Sequence, residues 1–218
     1  MTQFQSAAPL VLALLLAACG GSDGGEASAP VAAAAKVSVD ALPAGSYTVS
    51  SGDDGQPGVG QYYAGSDGSR LMVVNDDDEG ARTLYKQSAS GVWSAVPPAK
   101  TDVTLHLSGY EPRASPLAEA AQLAGNYTVP LAAGGVAMFA LSAQGAIAAM
   151  GSGCQISGQT GASKLPGALA VSLKFAGCNG LPSSASGVLL ADPDYAPAKL
   201  RLLVDDGSVV ADLWAYVG

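Results

Sequence analysis

Histidine occurs once in this chain of 218 residues, at His106, and cysteine three times, at Cys19, Cys154 and Cys178. A Ser-His-Asp triad, a Cys-His dyad or a histidine-rich metal cluster would each have to pass through that one imidazole. Charge is scarce too: 10 Lys and Arg stand against 18 Asp and Glu, and 13% of residues are charged. The net charge of −8 argues against nucleic acid as a partner, because a polyanion is held by clustered Lys and Arg. The chain has no phosphate-binding loop, no dinucleotide fingerprint and no Ser-x-x-Lys. No apolar run reaches the roughly 18 residues that a membrane-spanning helix needs. What is plentiful is Gly (28), Pro (13), Ala and Ser, the composition of a chain of turns and small side chains rather than of a helical bundle.

From Leu10 to Ala18 the sequence reads LVLALLLAA, too short to cross a bilayer and of the right length for the core of a secretion signal. Leu16-Ala17-Ala18-Cys19 closes the run. This tetrapeptide resembles the lipobox of bacterial lipoproteins, in which small residues precede a cysteine that is thioether-linked to diacylglycerol. The resemblance is confined to the N-terminal signal. It implies that residues 1–18 are a signal peptide and are removed, that Cys19 is the lipidation site and new N-terminus, and that membrane lipid reached through acylated Cys19 is the chain's first partner. Two or three acyl chains, palmitate among them, hold a protein firmly where one does not, so such an anchor suffices alone. Gly20 stands where an Asp would, in many such proteins, mark retention at the inner membrane, so the resemblance implies the outer membrane of a bacterial cell envelope. Residues 19–40 carry Gly, Ser, Ala and Pro without apolar periodicity and read as a flexible tether, with a mean reach on the order of 25 Å.

Once Cys19 is assigned to lipid, Cys154 and Cys178 remain as an even pair in an oxidising compartment, most simply a disulfide. A metal site is the alternative, but two cysteines and one histidine leave it short of ligands. No cofactor is called for by the residue inventory.

Alternation dominates the body and predicts an all-β fold of small antiparallel meander or barrel-like modules. In Ala168–Phe175, Leu169, Val171, Leu173 and Phe175 point one way and Ala168, Ala170, Ser172 and Lys174 the other. Val103–Ser108 alternates in the same way. In the last strand Val209, Ala211, Leu213, Ala215 and Val217 oppose Val210, Asp212, Trp214 and Tyr216. Turn signals at Ser66-Asp67-Gly68, Asn75–Gly80, Ala143-Gln144-Gly145, Asp192-Pro193-Asp194 and Asp205-Asp206-Gly207 separate the runs. An N-terminal β-module is expected over residues 41–110 and a C-terminal one over 116–218. The latter has eight strands, near 126–131, 135–141, 145–150, 153–159, 168–175, 184–191, 198–204 and 208–217, enough to close into a barrel. A short linker helix is expected from Pro116 to Leu123, with Ser115 as cap and Gly125 just past its end. Ala44-Gly45-Ser46-Tyr47-Thr48-Val49 nearly recurs as Ala124-Gly125-Asn126-Tyr127-Thr128-Val129, which suggests two related modules or a shared way of opening a strand.

Few residues suggest chemistry. His106 lies beside Thr104 and Ser108 on a polar strand face, the place of a solvated histidine. Gly20-Gly21-Ser22-Asp23-Gly24 has the letters of a nucleophile elbow but neither strand before nor helix after. Asn75-Asp76-Asp77-Asp78-Glu79-Gly80 could gather on calcium, yet lacks the EF-hand order and reads as a solvated turn. Asn126-Tyr127-Thr128 spells a glycosylation sequon without the eukaryotic context. Glycoside hydrolysis would need two acids brought to one cleft, and the sequence leaves open whether Asp192, Asp194 or Asp212 meet in that way. Trp214 and Tyr216 share one face and either pack on a neighbouring module or meet a ligand. The reading that follows is a membrane-anchored envelope lipoprotein with a non-enzymatic binding or structural body, whose partner besides membrane lipid is an unidentified protein or small apolar ligand. The alternative is a small lipocalin-like barrel carrying an apolar ligand, with inward Ala and Gly leaving room. An enzyme is the third reading. A continuous internal pocket would favour the carrier, a filled interior the partner-binding body.

Overall fold

The computed structural model describes residues 34–52, 58–115 and 118–218. The signal segment, Cys19, the elbow-like Gly20–Gly24 and Pro116 lie outside the described residues. Described strands of the first half are β1 (Val37–Val39), β2 (Gly45–Ser51), β3 (Gly58–Ala64), β4 (Arg70–Asn75), β5 (Ala81–Gln87), β6 (Trp93–Val96), β7 (Val103–Leu105) and β8 (Leu107–Arg113). Those of the second half are β9 (Gly125–Pro130), β10 (Val136–Leu141), β11 (Ala146–Met150), β12 (Gln155–Ala162), β13 (Ala168–Ala176), β14 (Ser184–Leu190), β15 (Leu200–Asp205) and β16 (Val210–Val217). A 3-10 turn, Pro193–Tyr195, joins β14 to β15.

The second half is a closed antiparallel barrel, as the eight alternating segments predict. Strands β9 to β16 pair in chain order, and β16 returns to β9 through Tyr216 opposite Thr128 and Val217 opposite Tyr127. Leu169, Val171, Leu173 and Phe175 of β13 and Ala211, Leu213 and Ala215 of β16 turn inward to one apolar cluster, where Phe139 stacks on Tyr127 at 5.3 Å between ring centroids. A ligand chamber would leave its lining open to water. Instead Val129, Phe139, Ile156, Leu200, Leu202, Val204 and Ala215 are all at 0% exposure, so large side chains fill what inward alanines leave free. A side chain at inward Gly158 would collide with the Ser172 carbonyl oxygen, and one at Gly187 with that of Leu203. Such close backbone approach is what lets strands bend at a barrel corner. One barrel end is tied by the disulfide Cys154–Cys178.

The expected linker helix is not formed by its described residues. Residues 118–123 make one hydrogen-bonded turn, with Leu123 N–H shared between the Glu119 and Ala120 carbonyls. Ala118 and Leu123 are both buried against the barrel core, and burial fixes a segment too short to sustain a helix by itself.

In the first half, six strands form an antiparallel sheet in the order β6-β5-β4-β3-β2-β8, and β1 pairs in parallel with β7 as a separate two-stranded ribbon. The strand expected over Val103–Ser108 is therefore broken: β7 ends at Leu105, β8 begins at Leu107, and His106 sits at the break. Both faces of the sheet are covered. Tyr47, Val49, Tyr62, Met72 and Val74 pack with Val39 and Leu42, with Val37 and Leu105 of the ribbon partly buried against them. Tyr63, Leu71, Val73, Leu84 and Val96 pack instead against Val188, Leu190 and Leu203, with Trp214 and Tyr216 partly buried beside them, all on the outside of the barrel. This accounts for Leu71-Met72-Val73-Val74, a continuous apolar run without alternation, because β4 is the central strand buried on both sides. Trp214 and Tyr216 thus pack on the neighbouring sheet. The near-repeat marks equivalent positions: Tyr47 Oη donates to the Pro43 carbonyl (3.1 Å) and Tyr127 Oη to the Leu123 carbonyl (2.6 Å), each reaching back four residues at the opening of a strand. In each half that opening strand pairs with both the next strand and the last, β2 with β3 and β8, β9 with β10 and β16.

Candidate functional site

Where the sheet meets the barrel a polar cleft of about 910 Å³ opens, with Gln61, Asn75, Glu79, Arg82, Arg113 and Arg201 among its lining. Its floor begins with β15, whose sequence Leu-Arg-Leu-Leu-Val-Asp turns Leu200, Leu202 and Val204 into the barrel and Arg201, Leu203 and Asp205 toward the sheet. Arg201 is 1% exposed. Its Nε and Nη2 donate to the two carboxylate oxygens of Asp212 at 2.9 and 2.7 Å, Nη1 donates to Gln61 Oε1 at 3.2 Å, and Nη2 reaches Asn75 Oδ1 at 3.2 Å and the Glu79 carbonyl at 3.3 Å. The guanidinium lies 4.5 Å over the Trp214 ring. Burial works to depress the Arg201 pKa, but the hydrogen bonds and charge of Asp212 outweigh it and hold the pKa above the ordinary arginine value. Asp212 also accepts the Ala81 N–H at 2.8 Å, which fixes the start of β5 to the barrel.

Further links surround this one. Arg113 Nη2 at the end of β8 donates to Asp192 (2.8 Å) and Asp194 (2.9 Å) of the 3-10 turn. Lys86 pairs with Asp205 at 2.6 Å, the carboxylate 3% exposed. The phenol oxygens of Tyr63 and Tyr195 lie 3.1 Å apart in the shared apolar cluster. Burial pushes both phenols up, Tyr63 well above its ordinary value.

Asp192, Asp194 and Asp212, the acids weighed from sequence for a hydrolytic cleft, therefore each face an arginine. At the Asn75–Gly80 turn, Asp76 Oδ1 accepts the Asp78 and Gly80 N–H groups at 3.1 and 2.8 Å. Asp76, Asp77 and Glu79 line the cleft mouth, and among the described residues no three acids, histidines or cysteines converge as metal ligands. Glu79 holds a left-handed backbone (φ 64°), and its carbonyl is clamped by Arg201. His106 is solvated as expected, its ring 79% exposed; its Nδ1 lies 3.2 Å from Asp40 Oδ1, and Asp40 also accepts the Leu107 N–H at 3.0 Å. Among the described residues no hydroxyl hydrogen-bonds that imidazole. The cysteine pair forms the disulfide expected of it, and Cys154 is buried in the barrel core.

Sequence reasoning missed Arg201, Gln61 and Arg113, and placed Asn75 only in the acidic turn. Arg201 had a readable signal: an arginine inside an apolar run, sharing its outward face with Leu203, implies a covered outer wall. The others come together only through long-range packing.

Comparison of the chain with protein families, curated proteins and solved structures finds no match to any of them. The function therefore rests on the chemistry of the body. In the cleft the carboxylate partners hold the Arg113 and Arg201 pKa values above the ordinary arginine value against burial, and burial raises the Tyr195 phenol and that of Tyr63 beside it.

Proposed function

We propose that the chain is a lipid-anchored lipoprotein of the bacterial cell envelope, held at the outer membrane by acylated Cys19, and that its β body is a non-enzymatic binding or structural module acting through its outer surface. The filled barrel interior carries this reading: residues at 0% exposure around the middle of the barrel leave a partner only the outside to bind. The disulfide agrees with export to an oxidising compartment. A closed eight-stranded barrel also suits a carrier of an apolar ligand, the second reading, but that use needs an interior that can be emptied.

The test has two arms. Cells fed radiolabelled palmitate should label the wild-type chain and not Cys19→Ser, which should accumulate as uncleaved precursor. Normal cleavage and membrane retention of Cys19→Ser would overturn the anchor. Extraction of the native protein from membranes should yield a bound protein partner and no stoichiometric apolar small molecule; a co-purifying lipid released only on unfolding would replace the module by the carrier.

A further inference from the structure

Glu119 and Lys164 are consecutive charged residues, so the 44 residues between them, 120–163, contain no Asp, Glu, Lys or Arg. At the 13% frequency of the whole chain, 0.13 × 44, about six would stand there. These residues are not scattered: they form β9 to β12 and their hairpins, one contiguous flank of the barrel wall. The apolar cluster that joins sheet to barrel contains no residue of these strands, so this is not the flank that the first half covers. Its outward positions include Val136 (56% exposed), Met138 (40%) and Met150 (37%), with exposed Ala146 and Ala148 between them. A solvated sheet face ordinarily alternates apolar-in with polar or charged-out, and interspersed charge keeps it solvated. Here the inward half of that pattern is kept and the outward charge is missing.

We propose that this flank is a self-association surface, on which a second copy of the chain packs face to face about a two-fold axis. Charge selects the occupant. Every copy carries −8, and all 28 charged residues lie outside 120–163, so two copies meeting through this flank bring no like charges together and strip water from no ion. An anionic lipid surface is recognised by Lys and Arg, and an unlike protein partner is selected by complementary charge; the flank offers neither. Four strands about 4.8 Å apart, five to eight residues long at roughly 3.3 Å each, outline about 400 Å² before hairpins and side-chain relief are added, about half of the ~800 Å² per partner of a standard interface. Ala146 and Ala148 permit close approach, and Met138 and Met150 are pliable enough to fill what remains. The inference rests on the barrel alone and is independent of the lipid anchor.

Sedimentation velocity of the full chain in non-ionic detergent, over a concentration series, tests it. The wild type should be a dimer. Ala148→Arg and Met138→Glu, both at exposed positions, should weaken association at least about 100-fold with unchanged circular dichroism, since charges brought face to face cost several kcal/mol. An equimolar mixture of Ala148→Arg with Ala148→Glu should regain the dimer, which a misfolded variant could not do. Val92→Glu, at a 70% exposed site in the first half, should leave association unchanged. A wild type that stays monomeric throughout, a dimer that survives Ala148→Arg, or monomers that instead float with uncharged lipid vesicles would each overturn the proposal.

Discussion

Asp212→Asn isolates the electrostatics of the sheet–barrel junction with almost no change in volume. In the native protein the Asp212 carboxylate receives two hydrogen bonds from Arg201 and one from the Ala81 N–H. Arg201 at 1% exposure has no water to turn to, and its remaining partners, Gln61, Asn75 and the Glu79 carbonyl, are neutral. Removing one partner of a buried pair leaves an uncompensated charge, at a cost of about 3–5 kcal/mol. In a domain of this size each kcal/mol displaces the melting temperature by roughly 2–4 °C, so a fall of about 6–20 °C is expected. Urea unfolding of the variant should show a lower midpoint with an unchanged slope if sheet and barrel still unfold together. The double variant Arg201→Met with Asp212→Leu should recover part of the loss, because it removes the charge instead of stranding it, while Gln61, Asn75 and the Glu79 carbonyl lose a donor and the Ala81 N–H loses its acceptor, each at a cost on the order of 1 kcal/mol. A loss under about 1 kcal/mol for Asp212→Asn would mean that water reaches Arg201, and the argument from burial would fail.

The tyrosine pair predicts sensitivity to alkali. Tyr63 and Tyr195 have folded-state pKa values raised above the ordinary 10.0, so their contribution is fully present below pH 10 and is lost as pH rises through the folded values; ultraviolet titration should show their ionisation coinciding with unfolding, and Tyr63→Phe should blunt that coupling. Replacing Cys154 and Cys178 together with alanine opens a loop with a separation of 24 residues. The loss should be about 3.5 kcal/mol in the chain-entropy account, read by denaturant titration against the oxidised wild type. His106→Ala should change stability by under about 0.5 kcal/mol, since its ring is 79% exposed, whereas Asp40→Ala should cost about 1 kcal/mol by freeing the Leu107 N–H; equal effects of the two variants would show that the pair acts as one unit.

Period-two alternation made the barrel legible. In β13 and β16 each inward residue was assigned from the sequence, and the turns at 143–145 and 205–207 fall between strands where Gly and Asp place them. Closure was readable as a strand count, because eight short strands need only their own order to form a cylinder. The six-stranded sheet was not, since β8 joins β2 across nearly sixty residues and β1 joins β7 across 66, pairings that local patterns do not encode. The linker showed the opposite failure: Ser-Pro and Glu are correct helix-opening chemistry, but burial of Ala118 and Leu123 overrides it. The cleft could not be read because its walls come from residues 61, 75, 113, 201 and 212. What could be read was each residue type singly, so the aspartates were recognised and their arginines were not.

A closed barrel needs no second sheet to satisfy its backbone, for every strand already has two neighbours. The first half must therefore be explained by what it does to the barrel's surface. It covers β13 to β16, where the outward positions carry Val188, Leu190, Leu203, Trp214 and Tyr216, and it stops short of β9 to β12, where they carry alanine, methionine and small polar groups. Had the sheet served only to hide apolar wall, the junction could have been dry; instead Arg113 and Lys86 of the sheet are matched by barrel carboxylates across it, and Arg201, paired with Asp212 on the next barrel strand, reaches across to Gln61, Asn75 and the Glu79 carbonyl. Ion pairs of this kind add little net stability over apolar packing of the same volume, but they tolerate only one register. The junction thus orients a polar cleft on one side of a barrel whose β9 to β12 flank is left uncharged, and both features lie on the outside of the barrel.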